Sequence, residues 1–195
     1  MPVKYPFARR KVNRFETAAR RGIAGRFVLC ENTARRLKGM KITEIERARR
    51  APDAVDRLTA VWESSVGATH DFLSGAEISE IKKYVPDALA NVPRLFVAAD
   101  ETGQTAAFMG IDGRKIEMLF VAPEHRGKGF GKKLVNFAFD VCAVDEVTVN
   151  EQNPRARGFY ERMGFRVVSR SPVDEQGNPY SVLRMRVQKN RENEI

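Results

Sequence analysis

Residues Met118–Leu134 read M-L-F-V-A-P-E-H-R-G-K-G-F-G-K-K-L, and the order of apolar, glycine and basic residues in this stretch decides the fold. The apolar run Ile116–Val121 reads as a strand that Pro123 ends. Gly129 to about Val141 reads as a helix with Leu134, Val135, Phe137 and Ala138 on its buried side. Between them lies Arg126-Gly127-Lys128-Gly129-Phe130-Gly131, followed by Lys132 and Lys133. A strand that runs into a glycine loop and then a helix is an anion-binding arrangement. The first-turn amides of a helix have no partner within the helix, and the macrodipole places about half a positive charge there. Glycines let a phosphate oxygen approach those amides closely. The glycine spacing fits neither the Walker loop, which needs Lys-Ser/Thr after its last glycine, nor the dinucleotide fingerprint, which needs a third glycine where Lys132 stands.

Upstream of this stretch, Lys41–Arg47 reads as a first strand. Pro52 opens an amphipathic helix over 52–67, on which Val55, Leu58, Val61, Trp62 and Val66 recur at helical spacing. Ile78, Ile81, Tyr84 and Val85 mark a second helix that runs up to Pro86. Arg94–Asp100 and Thr105–Ile111 form a hairpin around Glu101-Thr102-Gly103-Gln104, and Asp112-Gly113 turns the chain into the strand before the glycine loop. Downstream, Glu146–Asn150 is a strand. Asn153 caps a helix with Pro154 at its first position and Gly164 past its end. Phe165–Ser169 and Tyr180–Val187 are the last strands, joined by the turn-rich segment Ser171–Pro179. The order β α α β β β α β α β β predicts an α/β (α+β) domain with a mixed, mostly antiparallel central sheet flanked by helices.

The net charge of +9 is local. Residues 1–39 hold eleven of the 34 Lys and Arg and only two acids, Glu16 and Glu31, so the rest of the chain is neutral. The chain therefore divides into a basic N-terminal extension, 1–39, and a neutral domain, 40–195. Met40 directly precedes the first strand, so the extension reads as functionally idle or as an upstream start. Binding of nucleic acid or an anionic surface, and organelle targeting, are the other readings. No apolar run approaches the ~20 residues of a membrane span. Cys30 and Cys142 have no CxxC spacing and suggest a reducing, cytoplasmic setting. Two histidines and two scattered cysteines make no metal site, so none is expected.

The stretch Met118–Leu134 resembles motif A of the GNAT acetyltransferases, usually written R/Q-x-x-G-x-G/A after a strand ending in Val-x-Pro. Asn153–Phe165, N-P-R-A-R-G-F-Y-E-R-M-G-F, resembles their motif B, N-x-x-A-x-x-F-Y-x-x-x-G-F. The resemblance covers roughly residues 40–188, and S-V-G-A-T-H-D-F-L-S (Ser65–Ser74) with V-N-E-Q-N (Val149–Asn153) resemble a small bacterial YjaB-like subgroup. It implies a GNAT fold whose splayed central strands hold acetyl-CoA. Backbone groups of Leu119, Phe120 and Val121 would hydrogen-bond the pantetheine. Arg126, Gly127, Lys128, Gly129, Phe130, Gly131 and Lys132 would cradle the pyrophosphate. Asn153 would contact the pantetheine, Ala156 would leave it room, and Phe159 would pack near it. Tyr160 would face the thiol sulfur.

The implied activity is acyl transfer from acetyl-CoA to a primary amine, with protein lysine side chains as the leading acceptor. Small amines such as polyamines, aminoglycosides or amino-acid derivatives are the alternative. A non-catalytic acetyl-CoA sensor with a nucleic-acid-binding arm is a third reading, and a homodimer is expected only by analogy with the family. A lysine-like amine has a pKa of about 10.4, so only about one in 10³ is neutral at pH 7 and a base is needed. Glu117 is the first candidate base, with His70 and Glu151 beside it. A phenol with a pKa of about 10 suits protonation of the leaving thiolate, the role assigned to Tyr160. A strand amide such as that of Val121 would stabilise the developing oxyanion. His125 reads as a loop residue near the phosphates. Trp62 reads as core, with the acceptor pocket as its other location.

Overall fold

The computed structural model describes residues 35–37, 40–174 and 177–188. Residues 1–34 and 38–39 lie outside them, and so do the expected roles of the basic extension. Among the described residues the elements are β1 (Arg35–Leu37), β2 (Met40–Glu44), α1 (Pro52–Gly67), α2 (Gly75–Lys82), α3 (Val85–Asn91), β3 (Arg94–Ala99), β4 (Thr105–Asp112), β5 (Lys115–Val121), α4 (Phe130–Cys142), β6 (Glu146–Asn150), α5 (Pro154–Arg162), β7 (Phe165–Ser171) and β8 (Val182–Val187). Short 3-10 turns at Arg47–Arg49 and Pro123–His125 complete the list.

The strands form one sheet in the order β1-β2-β3-β4-β5-β6-β8-β7. Every neighbouring pair is antiparallel except β5 and β6, which are parallel and joined through α4. This is the mixed, mostly antiparallel sheet that the element order predicts. β1 falls inside the segment assigned to the extension and pairs with β2, Arg35 opposite Ile42.

Each face of the sheet buries its own core. On one face α1 and α3 place Val55, Leu58, Trp62, Val66 and Leu89 against Leu95, Phe108 and Met118. On the other, α4 and α5 pack Leu134, Val135, Phe137 and Tyr160 against Phe96, Met109, Ile111, Ile116, Val147 and Met185. Leu89, Leu95, Phe108, Leu134, Val135 and Met185 are fully buried, and burial of one such side chain is worth about 1.5–3 kcal/mol.

Three expectations are corrected. Pro86 does not end a helix. It sits in the first turn of α3, a short helix after α2 that the sequence pattern does not predict, and α2 itself ends at Lys82. Proline removes an amide that has no intrahelical partner at that position, so it starts a helix as readily as it stops one. The first strand also ends at Glu44 rather than Arg47, and the last begins at Val182 rather than Tyr180.

Arg50 fastens the end of α3. Its guanidinium donates to the carbonyls of Leu89, Ala90 and Val92 at 3.0, 3.0 and 2.6 Å, and its Nε donates to Ile45 O at 3.2 Å. These are the carbonyls a helix end leaves without partners. Arg50→Met is expected to lower unfolding free energy by about 2 kcal/mol, because several part-buried acceptors lose one charged donor. A shift of the urea midpoint at unchanged slope checks this.

Candidate active site

The central strands part where the site begins. β5 and β6 are paired only at Lys115 opposite Glu146 and Ile116 opposite Val147, although both strands run on. On its other side β5 stays paired with β4 as far as Val121 opposite Ala107. The amide of Ala122 donates to Ala106 O at 2.9 Å, which sets the phase of that ladder. Antiparallel pairs alternate, so Phe120 exchanges its main-chain bonds with β4, whereas Leu119 and Val121 turn theirs toward the gap. Of the three residues expected to meet the pantetheine through their backbones, Leu119 and Val121 are the two so directed.

A cleft of ≈ 140 Å³ occupies the gap. Leu119 and Phe120 line one side, Thr148 and Asn150 another, and Asn153, Ala156 and Tyr160 close it from α5. Asn153 is buried and spends its Oδ1 on capping α5, accepting from the Ala156 amide at 2.9 Å. Capping makes α5 begin at the cleft. Tyr160 is 7% exposed, wedged edge-on between Phe159 and Phe165. Burial pushes its phenol above the ordinary value, so it stays protonated through the neutral range.

The glycine loop opens at the end of the same gap. Gly127 and Gly129 have φ of +73° and +86°, conformations that L side chains resist, and an added Cβ at either would meet open space. Gly129 is the N-cap of α4. Gly131 is constrained differently: a Cβ there would sit 3.4 Å from the Phe159 ring. Lys128 and Lys132 are exposed. Phe130 turns inward, buried edge-on to His125, and offers the loop only its main chain.

Arg126 reaches away from the loop to the C-terminus of α1. Its Nη2 donates to Ser65 O at 2.8 Å and to Ser65 Oγ at 3.2 Å, and its Nη1 donates to Ala68 O at 3.2 Å. Burial, and then the charge of Arg155 on α5, disfavour its cation. Arg155 is thus near enough for its charge to be felt at Arg126. Arg155 escaped the sequence reading because its motif position is a variable one.

A second, apolar cavity of ≈ 260 Å³ lies on the α1–α3 face. Trp62, Phe72, Tyr84, Phe108 and Tyr180 supply its aromatic wall. Trp62 is therefore both core and cavity wall, 6% exposed and edge-on to Phe120. His70, Glu117, Met118, Phe120 and Asn150 line both cavities, so the two spaces meet at these residues. Glu117 is half-buried beside Lys115, whose Nζ lies 3.2 Å from its Oε2. The His70 Nδ1 is 2.9 Å from Thr69 Oγ1. Burial is the main cause that lowers the His70 pKa, and Arg126 lowers it further.

Two residues are placed elsewhere. Glu151 is bound by Arg170 at 2.7 Å, its carboxyl pulled low by that hydrogen bond, and it lines neither cavity. His125 lies in the turn before the loop. It is buried, and its Nε2 meets Asp100 Oδ2 at 3.0 Å, which ties the turn before the loop to the β3–β4 hairpin. Asp100 is pulled down to about 2, first by Thr102 and also by His125. Among the described residues no group of three or more His, Cys, Asp and Glu is arranged to hold a metal ion. No helix there is long and apolar enough to cross a membrane.

A splayed parallel strand pair, with a glycine loop capping the helix after it, is the architecture of an acyl-CoA-dependent transferase. Residues 71–188 match the family model described as "Acetyltransferase (GNAT) domain", and the chain belongs to this family. It is 43% identical over 130 residues to the "Peptidyl-lysine N-acetyltransferase YjaB" of Salmonella typhimurium, covering 67% of this chain and 89% of that one. It is 42% identical over 130 residues to the Escherichia coli protein of the same name, covering 67% and 88% of the two chains. The solution structure of apo-form YjaB from Escherichia coli superposes with a TM-score of 0.66 at 37% identity, covering 75% of this chain and 96% of that one.

Because His70 binds its proton more weakly folded than unfolded, it costs stability as pH falls below its unfolded value of about 6.5. An NMR titration of the His70 ring is expected to give a midpoint below 6.5 in the parent. Arg126→Gln is expected to move that midpoint upward by removing a nearby positive charge.

Proposed function

We propose that the protein transfers the acetyl group of acetyl-CoA to the side-chain amine of protein lysines. The observation that carries the reading is the junction of the two cavities at Glu117. The cleft in the sheet fits a pantetheine arm, since Leu119 and Val121 present main-chain groups along it and Ala156 keeps it open. The loop from Arg126 to Lys132, with Gly129 as the N-cap of α4, fits the pyrophosphate. When bound, the cosubstrate supplies an activated acetyl group at the junction.

The larger cavity receives the acceptor. A lysine arm is four methylenes ending in an amine, and an apolar, aromatic cavity with the Glu117 carboxylate where it meets the cleft matches it. Glu117 holds the amine and takes its proton. His70, neutral at pH 7, is a second acceptor at the same junction and orients the amine. Val121 turns its amide toward the gap, where it stabilises charge developing on the acetyl oxygen. Tyr160 donates to the leaving sulfur. Its raised pKa makes it a weak acid at rest. The cation that forms on the amine nitrogen offsets this as the reaction proceeds. The curated relatives' names point to the same acceptor class.

Release of CoA thiol from acetyl-CoA is expected to depend on lysine-containing peptide or protein. Tyr160→Phe is expected to lower kcat at least about tenfold, and Glu117→Gln about 10²-fold. Glu117→Gln should lose less at high pH, where more of the amine is already neutral. Acceptor-independent binding of acetyl-CoA with no turnover on lysine peptides, protein extract, polyamines or an aminoglycoside would support a sensor instead.

A further inference from the structure

The wall of the larger cavity is assembled from chain segments 103 positions apart. Tyr180, just before β8, donates its phenol to Glu77 Oε1 at 2.5 Å. The other oxygen of Glu77 is also engaged: Oε2 accepts from the Ser74 amide at 2.7 Å and from Ser74 Oγ at 2.6 Å. Ser74 and Glu77 form the capping box of α2, so one carboxylate both starts that helix and holds the tyrosine. These contacts draw the carboxyl down to about 2, Ser74 first and Tyr180 next, so it is ionised at any working pH. A phenol bonded to an ionised carboxylate is a strong, directional contact. The ring it fixes stands 6.3 Å from Phe72, which stands 5.3 Å from His70. Tyr180, Phe72 and His70 line the cavity in that order, ending at the junction with the cleft.

We propose that Tyr180, pinned by Glu77, is the specificity-determining residue of the acceptor cavity: its ring sets the width of that cavity and admits unbranched primary alkylamines over bulky ones. The proposal rests on the reading of the larger cavity as the acceptor site. Tyr180 lines the larger cavity and is not among the residues that line the cleft. Its effect therefore falls on the acceptor and not on acetyl-CoA. Glu77 is a positioning residue that acts through Tyr180.

Steady-state kinetics on the full chain separate these roles. The acceptors are a short lysine peptide and cyclohexylmethylamine, a primary amine with a bulky ring. Tyr180→Phe keeps the ring and loses its anchor. It is expected to raise the peptide KM by about five- to tenfold, the effect of losing one such hydrogen bond, with kcat and the acetyl-CoA KM within about twofold. Glu77→Gln retains a capping side chain and should shift the peptide KM in the same direction by less. Tyr180→Ala should reduce discrimination against the bulky amine by at least about tenfold. If the parent acetylates the peptide while the Tyr180 variants keep its KM and its discrimination, the proposal is overturned. Equal losses for both acceptors together with a raised acetyl-CoA KM would assign Tyr180 a purely structural part and overturn it too. A parent that acetylates neither amine removes the acceptor reading, and the proposal with it.

Discussion

Parallel pairing between β5 and β6 at Lys115–Glu146 and Ile116–Val147, and the gap beyond it, sets the terms for the rest of the molecule. A sheet that opens at its centre exposes main-chain groups that would normally pair, and buried groups of that kind are costly without partners. The fold tolerates the gap because β4 holds β5 on one side and β8 holds β6 on the other. A ligand that runs along the gap can pair with main chain as an added strand does. The glycine loop stands at the end of that path because α4 must start where β5 ends. Asn153 begins α5 on the opposite bank.

The second consequence is that the two cavities meet edge to edge. β5 alternates, so Leu119 and Val121 pack toward the α4–α5 face, while Met118 and Phe120 face α1 and α3. One strand thereby serves both cavities, and Glu117, where the ladder ends, borders both. Arg126 extends the connection, since it belongs to the phosphate loop by sequence and to the end of α1 by contact. Its charge is felt at His70. The loop and the wall of the larger cavity are therefore mechanically and electrostatically joined.

Local signals made much of this legible. Pro52 at the head of α1, Asn153 and Pro154 at the head of α5, and Gly164 past its end are chain-local chemistry, and the structure places each where the sequence reading does. The glycine loop and its flanking strand and helix read the same way. What escaped was set by pairing across distance. Pro86 is compatible with either end of a helix, and only packing of Leu89 against the sheet decides for a third helix. Glu151 carries no local sign of Arg170, which holds it from a strand further along the chain. His125 carries no local sign of its bond to Asp100. Tyr180 and Glu77 share no motif, and only the return of β8 to β6 brings them together. Phase along β5, which separates Leu119 and Val121 from Phe120, required knowing which β4 residue stands opposite.

On the proposed function the gap between β5 and β6 is the seat of acetyl-CoA, and Ala156 is small because the cosubstrate passes it. Calorimetric titration of acetyl-CoA into the parent and into Ala156→Leu tests this most directly. Leucine suits a helix and adds bulk where Ala156, partly buried against the α4–α5 core, borders the cleft. The account predicts that the variant stays folded and binds at least about 10²-fold more weakly, a loss of about 2.7 kcal/mol. Parent-like affinity in the folded variant would place acetyl-CoA elsewhere and contradict the account.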